Sequence, residues 1–179
     1  MVNLSLYTTT AVILLDSEGN RILGKYYDSK NLYPTNKEQK VFEKGLFEKT
    51  RRANGEIILY DNQVVLYRNS IDVFFYVVGS VEENELVLNS ILNAFYDSVS
   101  SLLRHQVEKR TLVDNLDLVV LALDETIDDG IVLETDSSVI VSRVSRPRTD
   151  TTDIPITEQT LIQAYHTARE RVTERLLRG

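Results

Sequence analysis

The chain contains no cysteine and only two histidines among its 179 residues. Missing cysteine excludes disulfides, thiolate zinc sites and a cysteine nucleophile, and it fits a reducing compartment. His105 and His166 stand far apart, each inside a helical pattern, so helix surfaces or helix packing suit them better than a shared metal. Long apolar runs are missing too: no stretch approaches the roughly 20 residues of a membrane-spanning helix. The start "MVNLSLYTTT" has neither the basic opening nor the apolar core of a secretion signal, and no glycine at position 2 for a myristoyl group. A cytosolic protein is expected. Basic excess is also lacking, with 20 Lys and Arg against 27 Asp and Glu, a net charge of −7 and a pI near 4.9. That balance disfavours broad attraction to nucleic acid or anionic lipid and leaves only a local basic patch as a route to either.

What is present reads as one domain with an appendage, since a domain of about 150 residues buries roughly 70% of its unfolded surface. "LSLYTTTAVILL" and "NRILGKYY" are rich in β-formers, and "DSEGN" between them supplies turn chemistry through Asp16, Gly19 and Asn20. The pair predicts a hairpin. After Pro34, Thr35 and Glu38 have the spacing of a capping box, opening a helix to about Ala53 with Val41, Phe42, Leu46 and Phe47 as its apolar stripe. "EIILY", "QVVLYRN" and "IDVFFYVVGS" predict three more strands, the last so continuously apolar that both faces should be covered.

Ser80 and Glu83 spell a second capping box before a helix reaching about Lys109. Its buried face is expected at Leu86, Val87, Ser90, Ile91, Ala94, Phe95, Val99 and Leu102. Thr111 and Asp114 spell a third, before a helix carrying Leu112, Leu116, Val119, Val120, Leu123 and Ile127. In "IVLETDSSVIVSRV" the β-branched residues suit a strand, but Asp136 is a good helix cap and gives a short helix the edge. "SRPRTDTTDIP" is linker-like, and Leu161, Tyr165, Ala168, Val172 and Leu176 stripe a terminal helix. The whole predicts an α+β domain over residues 1–145, a five-stranded antiparallel sheet with helices on both faces, followed by a linker and amphipathic helix over 146–179.

Several patterns imitate catalytic motifs. "EGNRILGK" has the glycine and lysine spacing of a phosphate-binding loop, and "LDLVVLALDE" resembles the strand that ends in a magnesium-holding acid. A phosphate loop must open a helix so that its amides converge on the anion. Here Tyr26 follows Lys25 in an apolar, aromatic stretch with a strand's character, and the acidic stretch has a helical period. An EF-hand centred on Gly130 would place Ile127 at a ligand position, so "LDETIDDG" reads as a solvated helix end. No G-x-S-x-G elbow is present, and nothing completes a catalytic mechanism around the carboxylates. No enzyme activity, cofactor, small-molecule substrate or nucleic-acid partner is expected.

Three ordered stretches carry a resemblance. "GNRILGKYY" resembles the small-chain signature of clathrin-adaptor and coatomer complexes. "VLYRNSIDVFFYVVGSVEENEL" is similar to that family's tyrosine-arginine segment running into the fifth strand, and "NLDLVVLALDETIDDGIVLET" to the coatomer zeta branch. The resemblance covers about residues 4 to 145 and implies a longin fold. It implies a non-catalytic small subunit of the COPI coat, wrapped by the N-terminal solenoid of the coatomer gamma subunit. Through that complex it implies recruitment to Golgi membranes by a GTP-bound Arf-family GTPase, for Golgi-to-ER retrograde transport. Lys25, Tyr26, Tyr67 and Arg68 are the expected partner-interface residues. Where some adaptor small chains help bind acidic dileucine cargo signals, the polar Ser70 and charged Asp72 depart from the apolar pattern, and cargo binding is not carried over. The alternative is another longin-domain trafficking regulator, SNARE-regulatory or part of a GTPase exchange factor. The SNARE version lacks its heptad segment.

Overall fold

The computed structural model describes residues 6–27, 32–53 and 56–145. The linker and terminal helix expected over 146–179 lie outside them.

Strands β1 (Ala11–Asp16) and β2 (Arg21–Tyr26) pair antiparallel as expected. The turn is held by Asp16, whose Oδ1 accepts the backbone N–H of Glu18 at 2.9 Å and of Asn20 at 2.8 Å. Gly19 takes φ +82 there, a conformation open to glycine without steric cost. β1 starts later than the β-rich sequence predicts. The N–H groups of Thr8 and Thr9 both donate to the Gly130 carbonyl, which draws the backbone out of the sheet, and Tyr7 makes a lone bridge with Ile131.

Helix α1 (Asn36–Thr50) opens on the predicted box: the Glu38 N–H donates to Thr35 Oγ1, and the Thr35 N–H to Glu38 Oε2. It buries Phe42, Leu46 and Phe47, whereas Val41 turns outward. Strands β3 (Ile57–Tyr60), β4 (Gln63–Ser70) and β5 (Val73–Ser80) complete a five-stranded sheet in the order β2-β1-β5-β4-β3, antiparallel throughout. The unbroken apolarity of β5 follows from its central place. Val73, Phe75 and Val77 enter one core, and Tyr76 and Val78 enter the other, beneath α1.

The first core is roofed by α2 (Glu85–Leu102), α3 (Lys109–Asp114), α4 (Leu116–Thr126) and α5 (Ser137–Val144), with a short ribbon, β6 (Ile127–Asp128) and β7 (Ile131–Val132), between the last two. Two sequence expectations fail here, and a third, the buried face of α2, holds for Ile91, Ala94, Phe95 and Val99 only. Ser80 caps no helix: it ends β5 opposite Gln63, and Asn84 caps α2 by accepting the Leu86 N–H at 2.9 Å. The buried face of α2 is Leu88, Ile91, Leu92, Ala94, Phe95, Ser98 and Val99, so Leu86, Val87 and Ser90 face away from the core. Leu88 packs closely over β5, where a Cβ on Gly79 would stand 2.7 Å from Leu88 Cδ1. The helix also stops at Leu102, not near Lys109, since Arg104 and His105 take φ +53 and +64 and turn the chain.

The third box fails as well. Thr111 lies inside α3, donating to Glu108 Oε1 at 3.0 Å, and the periodic run breaks at Asn115 before α4 begins. Ile127, its last member, belongs to β6. The short helix predicted after Asp136 is present, with the Asp136 carboxylate accepting the N–H groups of Ser138 and Val139.

Candidate interaction surfaces

Gly24 and Lys25 sit in β2 opposite Ile13 and Val12, so no helix follows the glycine and no amide cradle forms. Lys25 Nζ instead lies 2.6 Å from Asp124 Oδ1 on α4. The lysine of the apparent phosphate loop and the acid of the apparent magnesium strand are thus each other's partner. Among the described residues no group of three or more His, Asp, Glu or Cys is placed to hold a metal, and no helix is long and apolar enough to cross a membrane.

The four residues expected at an interface do not form one patch. Lys25 and Arg68 face the helical roof, where the Arg68 guanidinium lies 3.8 Å from the Tyr96 ring centre and 3.4 Å from Asp97 Oδ1. Tyr26 and Tyr67 face α1. The Tyr26 hydroxyl donates to Glu43 Oε1 at 2.8 Å, and burial followed by the Glu43 charge pushes its ionisation far above the usual phenol range. Glu43 also receives Arg21 at 2.6 Å. Tyr67 is only 4% exposed, its ring 5.9 Å from that of Tyr76. β1 and β5 separate the two strands that carry these residues.

Ser70 and Asp72, the departures from the adaptor pattern, are also engaged within the chain. Ser70 Oγ donates to the Val107 carbonyl at 2.9 Å, and Asp72 Oδ1 accepts the Lys109 N–H at 2.8 Å. Lys109 Nζ continues to the buried carboxylate of Asp16 at 2.8 Å. The β4–β5 turn and the start of α3 are thereby tied to the β1–β2 turn.

An apolar surface stands elsewhere. β3 is a sheet edge, and between it and α1 runs a groove of about 730 Å³ lined by Tyr33, Val41, Phe42, Leu59 and Tyr60, with Lys37 and Lys49 on its rim. Leu59 is 68% and Val41 67% exposed, well beyond what the fold needs from them. Sequence reasoning missed this groove, counting Val41 in the helix core and "EIILY" as an ordinary strand. The sequence carried no local signal for it, because β3 becomes an edge only through the topology of the sheet.

The family model for the clathrin adaptor complex small chain matches residues 8–151. The chain belongs to that family. Coatomer zeta subunits are its relatives within it: human zeta-1 is 47% identical over 174 residues, covering 97% of this chain and 96% of its own. The Arabidopsis thaliana zeta-1 subunit is 46% identical over 171 residues, covering 93% and 95%, and the Saccharomyces cerevisiae zeta subunit 39% over 188 residues, covering the whole of both. A chain of a homology model of the full-length AP-3 complex, in a stretched open conformation, superimposes with a TM-score of 0.59 over 91% of this chain and 98% of its own; at 18% identity this shows a shared fold. The five-stranded sheet between α1 and the helical roof is this adaptor small-chain fold. Like its coatomer zeta relatives, the chain is a non-catalytic coat subunit.

Proposed function

We propose that this chain is the zeta subunit of a COPI coat, seated in the N-terminal solenoid of a coatomer gamma subunit. The complex rides to Golgi membranes on a GTP-bound Arf-family GTPase and serves retrograde transport to the endoplasmic reticulum. The observation that carries this reading is 47% identity to coatomer zeta-1 along 97% of the chain. One feature of the geometry supports a candidate seat for the large chain. A stable interface hides about 800 Å² on each partner around an apolar centre, and the groove with Leu59, Val41 and Ile57 exposed beside the open edge of β3 offers such a centre. Of the four expected contacts, Lys25 and Arg68 lie on the other face of the sheet from this groove and Tyr67 is buried, so only Tyr26, whose ring abuts Tyr33, borders the proposed centre. Residues 146–179 are an extension distinct from this domain, a division supported by the family match ending at residue 151.

Co-expression with a coatomer gamma solenoid tests the reading. The expected result is a one-to-one complex surviving size exclusion at micromolar concentration, with Leu59→Glu weakening it at least tenfold by placing an unpaired charge in the apolar centre. Separate elution of the unmodified chains would defeat the proposal. A complex unaffected by Leu59→Glu would move the interface away from the groove.

A further inference from the structure

We propose that the outward face of α1, carrying Lys37, Lys40 and Lys44, is a contact surface for an anionic lipid bilayer; this rests on the coat-subunit reading above. The three lysines sit at i, i+3 and i+7, so they share one side of the helix, opposite the buried Phe42 and Leu46. All three are exposed. Among the described residues none of them has a carboxylate within 4.0 Å, and their like charges repel along the face.

The acids of the same helix are each committed elsewhere. Glu38 accepts the Thr35 N–H in the capping box, Glu43 is buried under Arg21 and Tyr26, and Glu48 pairs with Arg51 at 2.8 Å. The lysines therefore keep a local positive excess, which Glu18 on the β1–β2 turn and Glu38 beside Lys37 reduce but do not cancel, on a chain whose net charge is −7. With a Debye length of about 8 Å at physiological salt, a distant acidic surface does little to cancel them locally.

The type of residue selects the occupant. A carboxylate on a folded partner is better held by the planar fork of arginine, and lysine is depleted at protein interfaces. Three flexible point charges on a convex helical face suit a fluid layer of phosphate and carboxylate headgroups, each lysine contributing a modest and salt-sensitive attraction. The apolar groove lies on the β3 side of α1, with Lys37 at its rim, while Lys40 and Lys44 line another cleft together with Arg21, Glu18, Glu43 and Glu48. A large chain seated in the groove would leave Lys40 and Lys44 turned outward.

The test floats the complex of the full chain and a gamma solenoid with phosphatidylcholine vesicles containing about 30% phosphatidylserine. It compares the natural chain with K40Q/K44Q and with K40R/K44R, leaving Lys37 at the groove rim unchanged. At about fivefold per lysine, the glutamine variant is expected to need about 25-fold more lipid for equal binding. The arginine variant should bind like the natural chain, and raised salt should erase the difference. Equal flotation of natural and glutamine complexes, or no flotation of either, overturns the proposal. So does a glutamine variant that releases the gamma solenoid, which would make the face a protein contact. If the natural chain forms no complex at all, the coat-subunit reading fails before lipid is added, and the membrane contact falls with it.

Discussion

Replacing Asp16 should unfasten two parts of the molecule at once. Its carboxylate is 2% exposed and accepts four hydrogen bonds: the N–H groups of Glu18 and Asn20 at 2.9 and 2.8 Å, Asn20 Nδ2 at 3.2 Å and Lys109 Nζ at 2.8 Å. Bonds to a charged acceptor contribute about 1.5–3 kcal/mol each, but the turn amides and the half-exposed lysine regain water when it is lost, so Asp16→Ala should cost about 3 kcal/mol. Asp16→Asn keeps one acceptor for the turn and should cost about half as much. Burial works to raise the Asp16 pKa, yet the hydrogen bonds from Lys109, Asn20 and Glu18 together outweigh it and hold the carboxyl below its ordinary value. A carboxyl depressed on folding stabilises above its unfolded pKa of about 3.9, and that stability is lost as pH falls through the folded value. Urea unfolding of the natural chain and Asp16→Asn at neutral pH and at successively lower pH values measures this directly. Their difference should shrink as the solution is acidified. A difference constant with pH, or an alanine variant as stable as the natural chain, would refute the reasoning.

Three further outcomes follow from the packing and the caps. Gly79→Ala places a Cβ 2.7 Å from Leu88 Cδ1 and 3.0 Å from the Thr8 carbonyl oxygen, and should cost about 2 kcal/mol in thermal unfolding; an unchanged melting temperature would show that α2 can shift freely. Asp136→Ala removes the acceptor for the Ser138 and Val139 N–H groups and should lower the melting temperature, with Asp136→Ser recovering most of the loss. Lys25→Ala breaks a pair whose side chains are 37% and 47% exposed, so it should change stability by less than about 1 kcal/mol, and a larger loss in denaturant unfolding would mark that pair as structural.

Much of the fold was readable because local chemistry and tertiary need coincide. The Asp16 turn, the Thr35–Glu38 box, the two-sided apolarity of β5 and the Asp136 cap each carry their signal within a few residues, and all four are present. The readings that failed had two local solutions. Ser80 and Thr111 have cap spacing, but the ladder with Gln63 claims the first and a turn of helix already begun claims the second. The stripe on α2 satisfies helical periodicity from Leu86 as well as from Leu88, and the face that is buried packs closely over a glycine on another element.

Surface properties were less legible for a physical reason. Val41 follows the apolar pattern of α1 yet stands at the margin of the sheet, and no local signal shows that β3 ends up on an edge. The basic face was hidden by composition, since α1 alternates lysine and glutamate, and only the structure shows that each acid is spent on a cap, a buried pair or an arginine. Lys25 and Asp124, ninety-nine positions apart, imitated two halves of a nucleotide site and proved to be a single ion pair.

The most direct test of the central claim is co-purification of this chain with a coatomer gamma solenoid, with the bound chains identified by mass spectrometry. A one-to-one complex, weakened by Leu59→Glu and indifferent to Lys25→Ala, is the predicted result. Two chains that elute apart at micromolar concentration would contradict it.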